Sequence, residues 1–246
     1  MGTIGPNEER RNRHVILIGG STGAPGYIFQ FLDRLNALVK SRQSGGHPIE
    51  YPPVAIAVHH TKALDDTLGL TSFERTFLNT RFIDDGMEVG SSGVYICRGG
   101  ALTQIQRNKR ARVISNNGHP TPSIDLFFES AANYLGLSPI IIIYSGNEFD
   151  GASSPVEILS KNLGSALIVQ YNEKPGNHFA PNLPQEVIAR VNILDSGEGL
   201  ERIAVQANVA LEPFQYKASK SFKDGRVYVA KAEDIPAIAF GICGLS

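Results

Sequence analysis

Four short apolar runs recur along the chain without alternating with polar residues: Val15–Ile18 (VILI), Val54–Val58 (VAIAV), Ile140–Tyr144 (IIIIY) and Ala166–Val169 (ALIV). A strand with one wet face alternates, whereas a strand covered on both faces does not. The runs therefore predict buried strands of a parallel sheet. Segments of helical period lie between some of them. Tyr27–Val39 places Ile28, Phe31, Leu32, Leu35 and Leu38 on one face. Ser123–Leu135 opens on an N-cap residue and repeats Leu126, Phe127, Ala131 and Tyr134 at helical spacing. Pro155–Leu163 and Pro184–Val191 each open on a proline, which suits a first turn. Alternating strands and helices imply right-handed crossovers and an α/β fold, a three-layer α/β/α arrangement with a mostly parallel sheet. Three β-rich segments interrupt the pattern: Gly93–Cys97, Leu102–Gln106 and Arg112–Ser115. They read as an inserted antiparallel hairpin or meander. From about Glu212 the character changes, and Gly225–Ala230 with Ile235–Gly244 reads as an appended strand pair.

Composition narrows the function classes. The chain has 246 residues, enough for one large domain or one domain with an appendage. Its 23 basic and 24 acidic residues leave a net charge of −1, which is no electrostatic footprint for nucleic acid. The cluster Arg107–Arg112 (RNKRAR) is a local exception. Two cysteines, Cys97 and Cys243, supply neither a disulfide framework nor a four-sulfur zinc site. The polar start MGTIGPNEERRNR lacks the apolar core of a secretory signal, and no stretch approaches the roughly 18 apolar residues of a membrane span. A cytoplasmic globular protein that does not insert into the membrane is expected.

Three constellations sit at predicted strand ends. Gly19-Gly20-Ser21-Thr22-Gly23-Ala24-Pro25-Gly26 follows the first strand. A parallel sheet gathers its ligands at the carboxyl edge, where this turn lies. As a phosphate loop it lacks the Lys-Ser/Thr ending and the G-x-G-x-x-G spacing. As a nucleophile turn it would expose the Ser21 hydroxyl ahead of a helix N-terminus able to stabilise an oxyanion. As a plain connector it does neither. His59-His60 ends the second strand at the same edge, and alternation turns only one of the two toward Ser21. A metal site is weakly supported, since no third ligand has telling spacing. Asp150, in Ser145-Gly146-Asn147-Glu148-Phe149-Asp150-Gly151, follows the IIIIY strand. It can orient an imidazole, or serve merely as an Asp-Gly turn or the cap of the helix from Pro155.

With these residues in place the sequence resembles the catalytic domain of the chemotaxis receptor methylesterase (CheB) family. The family's G-x-S-T-G-G-P is similar to Gly19–Pro25, with Ala24 for one glycine. Its Q-H-M-P resembles Val58-His59-His60-Thr61. Its H-x-P-S-V-D resembles Pro120–Asp125, and its T-G-M-G-x-D-G-A resembles Ser145–Ala152. Its V-Y-I-A-P-G hairpin resembles Val94–Gly99, and its Q-N-E-x(n)-F-x-M-P stretch resembles Gln170–Pro184. The likeness runs from about His14 to about Leu211. It implies a catalytic domain over 14–211, a flexible N-terminus over 1–13, and a C-terminal extension over 212–246 of unknown role. By the resemblance, Ser21 is the nucleophile, His60 the general base and Asp150 its orienter. Thr22, Gly146, Asn147 and Glu148 surround the oxyanion and substrate. The family hydrolyses glutamyl γ-methyl esters on chemoreceptors, and many members deamidate glutamines there. Neither cofactor nor metal is implied.

The departures lie around the same residues. Thr61-Lys62 stands for the family's Met-Pro, Asn147-Glu148 for its Met-Gly, and Thr121 for an arginine often found before Pro-Ser. A Glu in place of a glycine is costly where φ is positive, and a carboxylate near a developing oxyanion opposes it. Two other readings accordingly stand beside the methylesterase: a carboxylesterase or amidase with another substrate, and a non-catalytic binding domain of the same fold. A nucleotide-binding protein is a weaker fourth.

Overall fold

The computed structural model describes residues 14–43, 50–60, 65, 77–116, 123–147, 149–170, 179–195 and 227–245. The four predicted runs form β1 (His14–Gly20), β2 (Val54–Val58), β7 (Ser138–Ile143) and β8 (Ala166–Gln170). Three more strands, β3 (Thr80–Phe82), β4 (Val94–Ile96) and β9 (Val227–Ala230), complete a seven-stranded sheet of order β3-β4-β2-β1-β7-β8-β9. Every pairing in it is parallel. A separate antiparallel pair, β5 (Ala101–Ile105) and β6 (Ala111–Ser115), forms the inserted hairpin. The fold class is thus the three-layer, mostly parallel arrangement with an antiparallel insertion.

The helices divide between the two faces. Here α1 spans Ala24–Arg42, α2 Ile124–Tyr134, α3 Ser154–Ser160, α4 Asn182–Asp195 and α5 Ile235–Ile242. Val15, Leu17, Ala55, Ala57, Ile141 and Ile143 project toward Phe127 and Phe128 of α2, Ile158 of α3 and Val187 of α4. Ile16, Ile18, Val54, Ile56, Val58 and Ile140 project toward Phe31 and Leu35 of α1 and Phe240 of α5. Residues of one strand therefore change face at every step, and this parity decides the geometry of the site. From β1 the chain crosses by α1 to β2 on one side. From β7 it crosses by α3 to β8 on the other. Right-handed crossovers in opposite directions put their helices on opposite faces, so the β1/β7 boundary is the topological switch point where such sheets bind ligands.

Two sequence expectations change. Val94–Ile96 does not join the hairpin; it pairs in parallel with β2 and β3. All three of its residues are buried, the same unalternating pattern as the other parallel strands, while β5 alternates. The C-terminal strand pair is instead one strand and one helix. β9 lies parallel to β8, and Pro236 occupies the first turn of α5. Helix α5 packs on α1, with Phe240 against Phe31 at 5.2 Å between ring centroids. The N-terminal 13 residues and residues 196–226 lie outside the described residues.

Candidate active site

The carboxyl ends of β1, β2 and β7 meet at the switch point. The β1/β2 register pairs Gly20 with Val58, so one step further Ser21 stands across from His59. His59 N–H donates to the Gly20 carbonyl at 3.1 Å, and Ser21 N–H donates to the Ser145 carbonyl at 2.9 Å. Ser21 continues the face of Leu17 and Gly19, and His59 that of Ala55 and Ala57, the face covered by α2. Ser21 is buried. The turn beyond it is compact for steric reasons. A side chain on Gly20 would sit 2.4 Å from Ala24 Cβ, closer than any packed carbon pair, so strand end and helix start touch directly.

His59 Nε2 donates to Asp150 Oδ2 at 2.8 Å. The carboxylate can only accept, so Nε2 carries the hydrogen and Nδ1 holds the lone pair. Nδ1 is buried and has no hydrogen-bond partner among the described residues. Asp150 is bound on its other side by the start of α2. It accepts from Ile124 N–H at 2.7 Å, Asp125 N–H at 3.0 Å and Ser123 Oγ at 3.2 Å. Burial on its own would raise the Asp150 carboxyl. The hydrogen bonds from His59, Asp125 and Ile124 outweigh it and hold the group below its ordinary value.

The histidine assignment is corrected by this geometry. His60, expected to meet Asp150, faces the other way because side chains alternate along β2. Its Nε2 lies 2.7 Å from Asp65 Oδ1, and its Nδ1 contacts the Val58 carbonyl. Asp65 Oδ1 also accepts Gly99 N–H at 2.8 Å, tying Asp65 and the end of β2 to the turn before the hairpin. The two histidines thus diverge to separate carboxylates instead of converging on one point. Asp150 likewise caps α2, not the helix that begins near Pro155.

Ser145 joins the loops beneath the site. Its Oγ donates to the Thr22 carbonyl at 2.6 Å and accepts Ala180 N–H at 2.6 Å, while its N–H donates to Gln170 Oε1 at 2.9 Å. Gly146 lies against Ser21: a Cβ there would come 3.1 Å from Ser21 Cβ and 3.1 Å from Leu183 Cδ2. Thr22 and Asn147 are exposed at the mouth. Glu148, Thr61, Lys62 and Thr121 lie outside the described residues. Reading the sequence by constellations missed Ser123, Asp125, Ser145 and Asp65 as participants. The first three fall inside the quoted motifs, which was the available signal; Asp65 carries none.

Comparison with known proteins agrees with this picture. The sequence profile of the CheB methylesterase family matches residues 16–206. A protein-glutamate methylesterase/protein-glutamine glutaminase of Saccharophagus degradans is 28% identical over 145 residues, 56% of this chain and 35% of that protein. One from a group 3 operon of Bradyrhizobium diazoefficiens is 25% identical over 194 residues, 77% of this chain and 48% of that protein. This chain therefore spans half or less of these relatives' length. The fold is that of the Thermotoga maritima CheB methylesterase catalytic domain, with a TM-score of 0.57 at 19% identity over 94% of this chain and 98% of that one. With the profile covering most of its length, the chain belongs to the CheB methylesterase family.

Proposed function

We propose that the protein is a cytoplasmic serine hydrolase acting on glutamyl γ-methyl esters of a protein, with Ser21 as nucleophile, His59 as general base and Asp150 as the group that orients His59. The observation that carries this is the His59 ring, held through Nε2 by Asp150 while its Nδ1 is buried, without a partner among the described residues, on a side chain that shares the face of Ser21. The relatives' names point to methyl-ester and glutamine side chains of proteins as substrates.

The chemistry follows from the proton positions. Nδ1 takes the Ser21 hydroxyl proton as Oγ attacks the ester carbonyl. The tetrahedral oxyanion is held by backbone N–H groups at the mouth, those of Thr22 and Asn147, with the positive end of α1 behind Ser21. Collapse expels methanol, protonated by His59, and leaves an acyl-enzyme. Water gives a proton to Nδ1 and attacks the acyl carbon; collapse then breaks the bond to Ser21 Oγ, which takes that proton back from Nδ1, and the freed glutamic acid ionises to its carboxylate. With a glutamine substrate the same cycle expels ammonia. Asp150 stabilises the imidazolium formed midway and keeps the proton on Nε2 in the resting state.

Methanol release from a glutamyl-methyl-ester peptide, run beside hydrolysis of a small aryl ester, tests the proposal. Ser21→Ala and His59→Gln should abolish both activities in folded protein. Full activity in either variant overturns the assignment. Turnover of the aryl ester alone would favour the carboxylesterase reading, and turnover of neither the non-catalytic one.

A further inference from the structure

We infer that Asp125 is a positioning residue for the Ser21–His59–Asp150 site, one half of a reciprocal lock in which each of two aspartates caps the helix that follows the other. This rests on the serine-hydrolase reading above for its effect on rate, but not for its geometry.

The lock is built from five hydrogen bonds. Asp150 ends the loop from β7, and its carboxylate accepts the N–H groups of Ile124 and Asp125 in the first turn of α2. Asp125 belongs to that first turn, yet its carboxylate does not serve its own helix. Its Oδ1 reaches across to accept Ser154 N–H at 2.7 Å and Ser153 N–H at 3.2 Å, the start of α3 immediately downstream of Asp150. Ser123 adds the fifth bond, donating from Oγ to Asp150 Oδ1 at 3.2 Å. The α3 N-terminus has no side-chain cap from its own N-cap residue Ser153, so Asp125 supplies what that residue leaves open.

The span between the two anchors is short. Asp150 is held to α2 through its side chain, and Ser153 and Ser154 are held to the same turn of α2 by Asp125. Gly151, at φ +101°, makes the bend between them. Two such ties across four residues leave the Asp150 backbone little freedom to drift. Cutting the Asp125 tie frees the downstream end. The carboxylate that orients His59 is then held only by the bonds it makes itself. A displacement of about 1 Å at a catalytic group can cost on the order of 10²-fold in rate.

Two readouts test the lock. The first is kcat on the methyl-ester peptide. The second is the titration of Asp150 followed by the ¹³Cγ chemical shift, which reports its hydrogen bonds whether or not the protein is an esterase. Asp125→Ala should lower kcat roughly 10–100-fold with KM little changed, and should move the Asp150 titration up toward the ordinary carboxyl value. Asp125→Asn, whose side-chain oxygen can still accept both N–H groups, should restore most of the rate and the low titration. Should Asp125→Ala fail to fold, Asp125→Glu serves. It keeps the charge but sets the oxygens one methylene further out, and should shift both readouts in the same direction. A kcat within threefold of native in the folded variant overturns the lock. So does a kcat loss with the Asp150 titration unmoved, or a failure of Asn to rescue. If the native protein hydrolyses no ester, the serine-hydrolase reading fails separately, and the Asp150 titration still decides the lock.

Discussion

Two histidines, adjacent in sequence, each meet an aspartate at under 3 Å, and they differ in what their second ring nitrogen meets. In the His60–Asp65 pair both side chains are buried, and both ring nitrogens face acceptors, the Val58 carbonyl and the Asp65 carboxylate. Both ring nitrogens are taken up by protein oxygens, so His60 holds Asp65 and the end of β2 together and presents neither nitrogen to a substrate. In the His59–Asp150 pair the aspartate side chain is 30% exposed, and the second ring nitrogen is buried without a partner among the described residues. The comparison teaches that the pair itself is not the signature of chemistry. What marks a candidate base is the orphaned atom beside a well-held one.

The largest expected effect breaks the symmetry between the two pairs. His59→Gln and Ser21→Ala should each lower kcat/KM for the methyl ester by about 10⁴-fold or more, the usual scale for removing a member of such a unit. Because the losses arise from one unit, the double variant should be scarcely worse than either single. Near-multiplicative losses would show that Ser21 and His59 act separately. His60→Gln should do the reverse. Removing one partner of a buried pair costs roughly 3–5 kcal/mol of stability, read by urea unfolding, while kcat of the folded fraction stays within a few-fold of native. A loss of kcat by His60→Gln equal to that of His59→Gln, at unchanged stability, would return the base to His60.

A smaller effect separates how the two aspartates are placed. Gly151, next to Asp150, has φ +101°, and a Cβ there would lie 2.9 Å from Ile124 Cγ2. Gly151→Ala should therefore destabilise the protein by about 1–3 kcal/mol, combining backbone strain with an overpacked neighbour. It should also lower kcat, because the bend it distorts carries Asp150. The same substitution at Gly26, inside α1 where a Cβ meets nothing within 4 Å, should leave kcat unchanged and raise stability by up to about 1 kcal/mol, since alanine is the better helix former. Thermal unfolding with parallel rates on the three proteins checks this, and an unaffected Gly151→Ala would remove the steric account of the bend.

Ser21 and Asp150 were legible in the sequence because each follows an apolar run whose lack of alternation marks a parallel strand, and parallel strands all end at one edge. The choice between His59 and His60 required the parity of β2. Parity depends on which of Ala57 and Val58 lies under α2, a tertiary fact. The resemblance itself pointed both ways: Q-H-M-P set over Val58–Thr61 puts the family histidine at His59, whereas reading Thr61-Lys62 as its Met-Pro puts it at His60. β3 was invisible because Thr80–Phe82 has one apolar residue in three and is a strand only through its neighbour β4. Asp65 carries no signal in the sequence because a lone carboxylate outside any motif resembles any solvated charge until a buried histidine is seen beside it. Val94–Ile96 was misplaced despite carrying the right signal, since a strand three residues long gives too few positions to separate a buried run from an alternating one.

The smallest expected effect is the acid limb of stability, which distinguishes Asp150 from an ordinary surface carboxylate. Its hydrogen bonds with His59, Ile124 and Asp125 hold its folded-state pKa below the ordinary value of about 3.9. A carboxyl depressed on folding contributes stability that is complete above the unfolded pKa and is lost as pH falls through the folded one. Between pH 7 and about 4.5 Asp150 should thus add no pH dependence to unfolding. Below about 3.9 the unfolded chain takes up a proton that the folded chain refuses. The unfolding free energy then falls with pH, with a slope for this one group that stays below the roughly 1.4 kcal/mol per pH unit of a whole proton. Asp150→Asn removes the titration and should lower stability at neutral pH while making the curve shallower below about pH 4. Asp125→Asn leaves Asp150 in place and should retain the native slope. Urea unfolding of the three proteins from pH 2.5 to 6 makes the measurement. Parallel curves for native and Asp150→Asn would mean that the carboxylate held by the start of α2 titrates alike in the folded and unfolded chains, and the electrostatic distinction drawn for Asp150 would fall.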